Sequence, residues 1–275
     1  MKKIISFLVL LILFSSLAYG RFNFYSKDLE AYFLDIGQGD AILIRTPEGK
    51  NILVDGGPDN LLLYRLAEVL PWWERTIDYL VISHYHADHM LGFIELLNKY
   101  KVKNVLVGPQ QAEDDLLFNL WQEKLAEKKI VPQIVKVGDQ FVLNDLSWKI
   151  FSADGDHEDY NDNSVVFKLS YRDFDLLLTG DLTSLKEEDL LNSDFDLSAE
   201  VLKVAHHGSK YSSGLNFLEK VAPEICLIQS ETGNSFGHPH QELLERLEMI
   251  NCQVLRNDAL GTIKIRTDGY SWQIN

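Results

Sequence analysis

The chain has 275 residues, 46% apolar and 24% charged, which is enough apolar material for a sizeable buried core and excludes a disordered or fibrous chain. A formal net charge of −15 repels polyanions at long range, so charge alone does not drive nonspecific nucleic-acid binding; metals or a local basic patch would have to compensate. Two cysteines, Cys226 and Cys252, are too few and too far apart for a cysteine-based metal site and would form one disulfide if their strands are neighbours.

The first twenty residues, MKKIISFLVLLILFSSLAYG, place Lys2 and Lys3 before an apolar run at 4–14 and small residues up to Gly20. That run is shorter than the roughly 20 residues a bilayer core requires. Charge, short apolar stretch and small residues in this order are those of a secretory signal peptide. Residues 1–20 are therefore expected to be removed on export to the periplasm or the extracellular space. Loss of Lys2 and Lys3 takes the charge from −15 to −17 and leaves residues 21–275 as one domain with no stable membrane insertion. No Cys follows the apolar run, which argues against a lipid anchor.

Beyond residue 30 no linker or low-complexity stretch interrupts the pattern. AYFLDIG (31–37), AILIRT (41–46) and NILVDGG (51–57) read as short strands separated by glycine-containing turns. Residues 59–70 read as a helix, YLVISHYH (79–86) as a buried strand running into a loop, LGFIELLNKY (91–100) as a helix, NVLVG (104–108) as a strand and 113–128 as a helix. After QIVKV (133–137) the pattern returns to antiparallel strands: SWKIFSAD (147–154), SVVFKLSYRD (164–173) and FDLLLTGD (174–181). Helices at 185–191, 215–221 and 242–250 then alternate with the strands EVLKVAHH, EICLIQS and CQVLRN, before a last strand TIKIRTDG. A meander followed by helix–strand alternation thus occurs twice, which points to two packed sheets with helices outside.

The chemistry collects at strand ends. VISHYHADHMLGF sets His84, His86, Asp88 and His89 directly behind a buried strand. On extended chain His84 and His86 point the same way, and Asp88 and His89 follow where the chain bends into a helix. Neutral imidazole and carboxylate are preferred ligands of Zn²⁺ and similar ions. LLLTGD ends in Asp181, KVAHHGS carries His206 and His207, and SFGHPH carries His238 and His240, so seven of eight histidines lie at such ends. Only His157, in the acidic loop SADGDHEDYND, lies elsewhere.

DIGQGDAILIRTPEGKNILVDGG, SHYHADH, NDNSVVFKLSY, LLLTGD, KVAHHGSKYSS, SFGHPHQELLERL and NDALGTIKIRTDG together resemble the metallo-β-lactamase superfamily. Among its branches they most resemble the soluble domain of ComEC-type bacterial competence proteins, co-linearly from about residue 30 to about residue 270. The resemblance implies an α/β fold, the four-layer αββα sandwich of two mixed sheets with helices outside. It implies His84 and His86 on one metal, Asp88 and His89 on a second, Asp181 bridging both, and His238 completing the second site. Asp55 of LVDGG would orient a ligand by hydrogen bonding. Where the superfamily usually has a further His ahead of the bridging Asp, this chain has Asn163 and Ser164, as that branch does. His206 is expected to replace that ligand and His207 to face substrate, with the reverse assignment left open and His157 a less favoured substitute. His240 and Lys210 are candidate substrate contacts.

The expectation is an exported metallo-hydrolase that uses water activated by two divalent ions, Zn²⁺ or Mn²⁺. Asp88 would orient that water and His207 would stabilise developing negative charge. Phosphodiester or nucleic-acid-like substrates lead, with Lys203, Lys210 and Lys220 as cationic groups near the double-His motif, set against the net charge. Small esters, lactones or thioesters are the alternative. A binding protein with a decayed site is a further one, supported by the absent histidine.

Overall fold

The computed structural model describes residues 26–109, 115–153, 155 and 159–275. The expected leader at 1–20, His157 and the first residues of the helix expected at 113–128 lie outside them. Strands β1 (Leu29–Phe33), β2 (Ile42–Arg45), β3 (Asn51–Val54), β4 (Thr76–Ile82), β5 (Lys101–Val107) and β6 (Gln133–Ile134) belong to a first sheet. Strands β7 (Gln140–Leu143), β8 (Leu146–Ser152), β9 (Val166–Tyr171), β10 (Phe174–Leu178), β11 (Val201–Lys203), β12 (Ile225–Ile228) and β13 (Gln253–Arg256) form a second. β14 (Ile263–Thr267) and β15 (Trp272–Ile274) return to the first, giving the orders β15-β14-β1-β2-β3-β4-β5-β6 and β13-β12-β11-β10-β9-β8-β7.

Each sheet is mixed in the same way. β1, β2 and β3 pair antiparallel, whereas β3, β4, β5 and β6 pair parallel. In the second sheet β7 to β10 are antiparallel and β10 to β13 parallel. Successive strand residues point to opposite faces, and here both faces are covered. Ile42 and Ile44 join the cluster between the sheets together with Phe167 and Leu169 of the opposite sheet. Leu43 between them joins Leu66, Phe93 and Trp121, which lie on the helices Leu61–Val69 (α1), Ala87–Lys99 (α2) and Leu116–Lys128 (α3). On the far side Leu177, Leu202 and Ile228 pack with Leu190, Phe217 and Leu243, from Ser184–Leu191 (α4), Leu215–Val221 (α5) and Gln241–Met249 (α6). The result is the αββα sandwich.

Two strands were not anticipated. β7 is a four-residue edge strand whose Gln140 and Val142 face solvent, and β15 has three residues. Neither carries an apolar run long enough to stand out. The strand expected over 133–137 pairs only at Gln133–Ile134.

β12 and β13 are parallel neighbours, and Cys226 and Cys252 are joined by a disulfide with a Cα–Cα distance of 6.0 Å and a sequence separation of 26. Closing a loop of that length removes chain entropy worth about 3–4 kcal/mol. The Cys226→Ala/Cys252→Ala double variant is therefore expected to lose about that much in denaturant unfolding, and an unchanged midpoint would contradict it.

Candidate metal centre

Both parallel halves direct their strand ends to one place. β4 ends at Ile82, and the next residue, Ser83, donates its amide (2.8 Å) and hydroxyl (2.7 Å) to the Asp55 carboxylate behind β3. The chain stays extended, so alternate residues diverge. His84 is buried in the site, and Tyr85 turns away into the helical layer against Phe118 (centroids 4.9 Å). His86 returns, with its Nδ1 3.1 Å from His84 Nε2. α2 starts immediately after His86, which places Asp88 in the first turn, where the helix dipole favours a carboxylate. The turn before β2 packs on this segment: Gly39 has φ +134°, and a Cβ there would lie 2.2 Å from the Asp88 carbonyl oxygen.

From the second sheet, Asp181 follows β10. Its amide donates to Ser164 Oγ (3.1 Å), and the Val165 amide donates to the Ser83 carbonyl (2.8 Å). Ser164 and Asn163 are both buried, and Asn163 Nδ2 donates to the Asp159 carbonyl (3.3 Å). Ser164 and Val165 thus tie the Asp181 turn to the end of β4. After β11, His206 and His207 occupy two consecutive left-handed positions (φ 53° and 52°), a strained arrangement for non-glycine residues that recurs at functional sites. It turns the neighbouring rings to different places. His207 is buried, with Nδ1 3.0 Å from the Gln229 carbonyl, whereas His206 remains partly open.

Asp181 is the common neighbour. Its Oδ1 lies 3.3 Å from His89 Nε2; its Oδ2 lies 3.4 Å from His207 Nε2, 3.9 Å from His206 Nε2 and 4.0 Å from His84 Nε2. His207 Nε2 is also 3.3 Å from Asp88 Oδ2. His89 Nδ1 rests on Asp55 Oδ2 at 2.9 Å, which directs Nε2 toward Asp181. His89 Nε2, His207 Nε2 and Asp181 Oδ1 are buried without a hydrogen-bond partner. Such atoms are costly unless something binds them. A tetrahedral ion with ligands at roughly 2.0–2.1 Å holds neighbouring ligand atoms about 3.3–3.4 Å apart, which is the spacing found here. The residues present fit a divalent metal.

The electrostatics agree. Burial disfavours a charge on His89 and His207, yet Asp181 beside both, with Asp55 on His89, raises their basicity well above the ordinary imidazole range. Asp181 is held well below the carboxylate range, despite its burial, by His207 and His89; Asp88 is likewise lowered, chiefly by His207. Burial and neighbouring His89 push His84 down, and burial pushes His206 down. Both shifts favour the neutral form that a ligand requires, whereas His89 and His207 would give up a proton on binding an ion.

His238 lies at the margin, its ring centroid 5.5 Å from His206 and 6.3 Å from His207, and burial lowers its pKa to about 4. The exposed Phe236 stacks on it (5.7 Å). His240 Nδ1 accepts the Lys210 amide (3.2 Å), and Lys210 Nζ extends over Tyr211. Lys203, taken above as a cationic contact for substrate, is corrected: it is 1% exposed and paired with Asp40 Oδ2 at 2.8 Å. Asp40 was missed although it ends the quoted DIGQGD. A lysine inside an apolar strand was the signal that a buried acid would accompany it.

The Metallo-beta-lactamase superfamily profile matches residues 34–228. ComE operon protein 3 of Bacillus subtilis (strain 168) is 29% identical over 267 residues, 88% of this chain and 33% of that protein. Competence protein ComA of Neisseria gonorrhoeae is 28% identical over 235 residues, 84% and 31% respectively. The chain therefore spans about a third of the length of these relatives. Among solved structures, the metallo-beta-lactamase fold protein YhfI from Bacillus subtilis shares the fold with a TM-score of 0.58 at 12% identity, covering 87% of this chain and 100% of that one. Two mixed sheets, imidazoles and carboxylates gathered at their strand ends, and a profile match over most of the chain carry one conclusion: this protein belongs to the metallo-beta-lactamase superfamily and is similar to its ComEC-type competence branch.

Proposed function

We propose that this superfamily hydrolase, made of one domain at 21–275, cleaves phosphodiesters with two divalent ions, Zn²⁺ or Mn²⁺, held by two ligand sets that share Asp181. Asp88, His89 and His207 form one set. His84, His86 and His206 form the other, His206 lying as close to Asp181 Oδ2 (3.9 Å) as His84 does (4.0 Å). The observation that carries the reading is the group of buried, unsatisfied ligand atoms around Asp181 at metal-ligand spacing. Bound there, two ions would supply an activated water and neutralise phosphoryl oxygens. Asp88, whose side chain is 31% exposed, is open enough to hold and orient that water. His238 and Lys210, at the margin, would receive the anionic substrate rather than complete a ligand set.

Asn163 and Ser164 in place of a third imidazole, together with the similarity to competence proteins, favour phosphodiesters over lactams. With Lys203 buried and a chain charge of −15, the substrate is short or single-stranded rather than a long duplex. The same removal of a surface cation is what favours the second reading, a hydrolase of small esters or thioesters. The chain is exported: the leader pattern at 1–20 supports this, as does a disulfide suited to an oxidising compartment. No helix among the described residues is long and apolar enough to cross a membrane.

Bis(p-nitrophenyl) phosphate, short oligonucleotides and p-nitrophenyl acetate, each with Zn²⁺ and with Mn²⁺, form the test. Cleavage of the diesters well above the acetate is expected; turnover of the acetate alone would favour the ester reading.

A further inference from the structure

A buried ion pair stands behind His207. Asp40 (2% exposed) and Lys203 (1%) meet at 2.8 Å through Asp40 Oδ2, and Lys203 Nζ also donates to the Val204 carbonyl (3.0 Å). The other oxygen, Asp40 Oδ1, lies 3.3 Å from His207 Nδ1. Asp40 is itself fixed through its backbone, donating to the Asp88 carbonyl (3.2 Å) and accepting from Gly57 (2.9 Å). Gln229, whose carbonyl faces the same ring nitrogen, reaches across to the Leu34 and Ala41 carbonyls (2.9 and 3.2 Å) on either side of the Asp40 turn. His89 Nδ1 meets Asp55 Oδ2 more closely, at 2.9 Å, whereas the Gln229 carbonyl at 3.0 Å is the nearer acceptor for His207 Nδ1 and Asp40 Oδ1 at 3.3 Å stands beside it. Both imidazoles thus meet a buried carboxylate at Nδ1 and turn Nε2 toward Asp181.

We propose that Asp40 is the positioning residue of His207 and that Lys203 is its fixed counter-ion. The proposal rests on the reading that His207 Nε2 holds the second ion. Lys203 Nζ holds Asp40 Oδ2 at 2.8 Å and so fixes the plane of the carboxylate, which leaves Oδ1 beside His207 Nδ1. Paired with the ammonium, Asp40 only accepts. The ring proton is then confined to Nδ1, and the Nε2 lone pair is left toward Asp88 and Asp181. Carboxylates behind metal-binding histidines act in this way, and their loss typically weakens metal binding about 10- to 100-fold.

The test is Zn²⁺ binding by the purified chain against a competing chelator, with thermal unfolding of the metal-free chain alongside. Asp40→Asn alone leaves Lys203 buried and unpaired and is at risk of not folding, so Asp40→Asn/Lys203→Met is the principal variant. It is expected to bind its first Zn²⁺ as the wild type does and its second about 10- to 100-fold more weakly. His207→Ala should lose the second ion outright. If His207→Ala still takes two ions, the ligand reading fails. If it loses one while the double variant keeps wild-type affinity for both, only the positioning role is overturned, and the pair merely supports the fold. Ring ¹⁵N shifts of His207 in the Zn²⁺-loaded wild type require no substitution: a protonated Nδ1 and a ligating Nε2 are expected, and ligation through Nδ1 contradicts the proposal.

Discussion

Asp181→Asn is expected to lose binding of both ions and to lower diester turnover by more than the roughly 10- to 100-fold that loss of a residue standing only behind a ligand costs. Asp181 meets four imidazoles. His89 faces one oxygen of the carboxylate, and His207, His206 and His84 surround the other. Asparagine keeps the shape but turns an N–H donor toward nitrogen atoms that need an acceptor or an ion. In the metal-free chain the same substitution removes the anion between His89 and His207, and breaking a buried pair costs about 3–5 kcal/mol. Chelator competition, turnover and denaturant unfolding on one preparation separate these effects. A variant that still loads two ions and turns over would remove Asp181 from its bridging role.

The second large effect is a reversal of pH dependence on loading. His89 and His207 have folded pKa values well above 6.5, so their contribution to the metal-free fold is complete below 6.5 and is lost as pH rises through the folded values. Asp88 and Asp181 are lowered, so their contribution is present above 3.8 and lost only as pH falls through their folded values. His84 and His206, held below 6.5, cost stability as pH falls below that value, so the metal-free chain is most stable around pH 6.5 and weakens toward alkaline pH. Ions take the lone pairs that protons would otherwise occupy, so loading releases protons. Affinity of the second set should rise about tenfold per pH unit for each imidazole displaced. Calorimetric titration with Zn²⁺ in buffers of different ionisation heat should report about two protons released as that set fills. Above pH 6.5, thermal midpoints should fall with pH for the metal-free chain and rise for the loaded one; parallel slopes would contradict the network.

Much of this was legible in the residues. HYHADH behind an apolar strand pointed to a cluster of side chains because extended chain sends His84 and His86 the same way, and LLLTGD, by ending a buried strand, pointed to Asp181, which the structure sets beside that cluster. The repeated meander and helix–strand alternation gave the two-sheet architecture, since each half must cover its own sheet. The division of labour between His206 and His207 was not legible: two adjacent left-handed residues send their rings apart, and only tertiary context fixes which one enters the core. His238 follows the last strand of the motif series but stops at the margin, held there by Asn234, whose side chain bonds its amide and its carbonyl. Asp40 did not stand out in the sequence and Lys203 read as a cation for substrate, because their pairing depends on how the two sheets meet.

Metal content tests the central claim most directly. The purified chain, equilibrated with Zn²⁺ or Mn²⁺ and freed of excess, should carry two ions. Anomalous diffraction should place one among Asp88, His89 and His207 and the other by His84 and His86, with Asp181 between them. A chain that stays empty after reconstitution, or holds a single ion away from Asp181, would contradict the account.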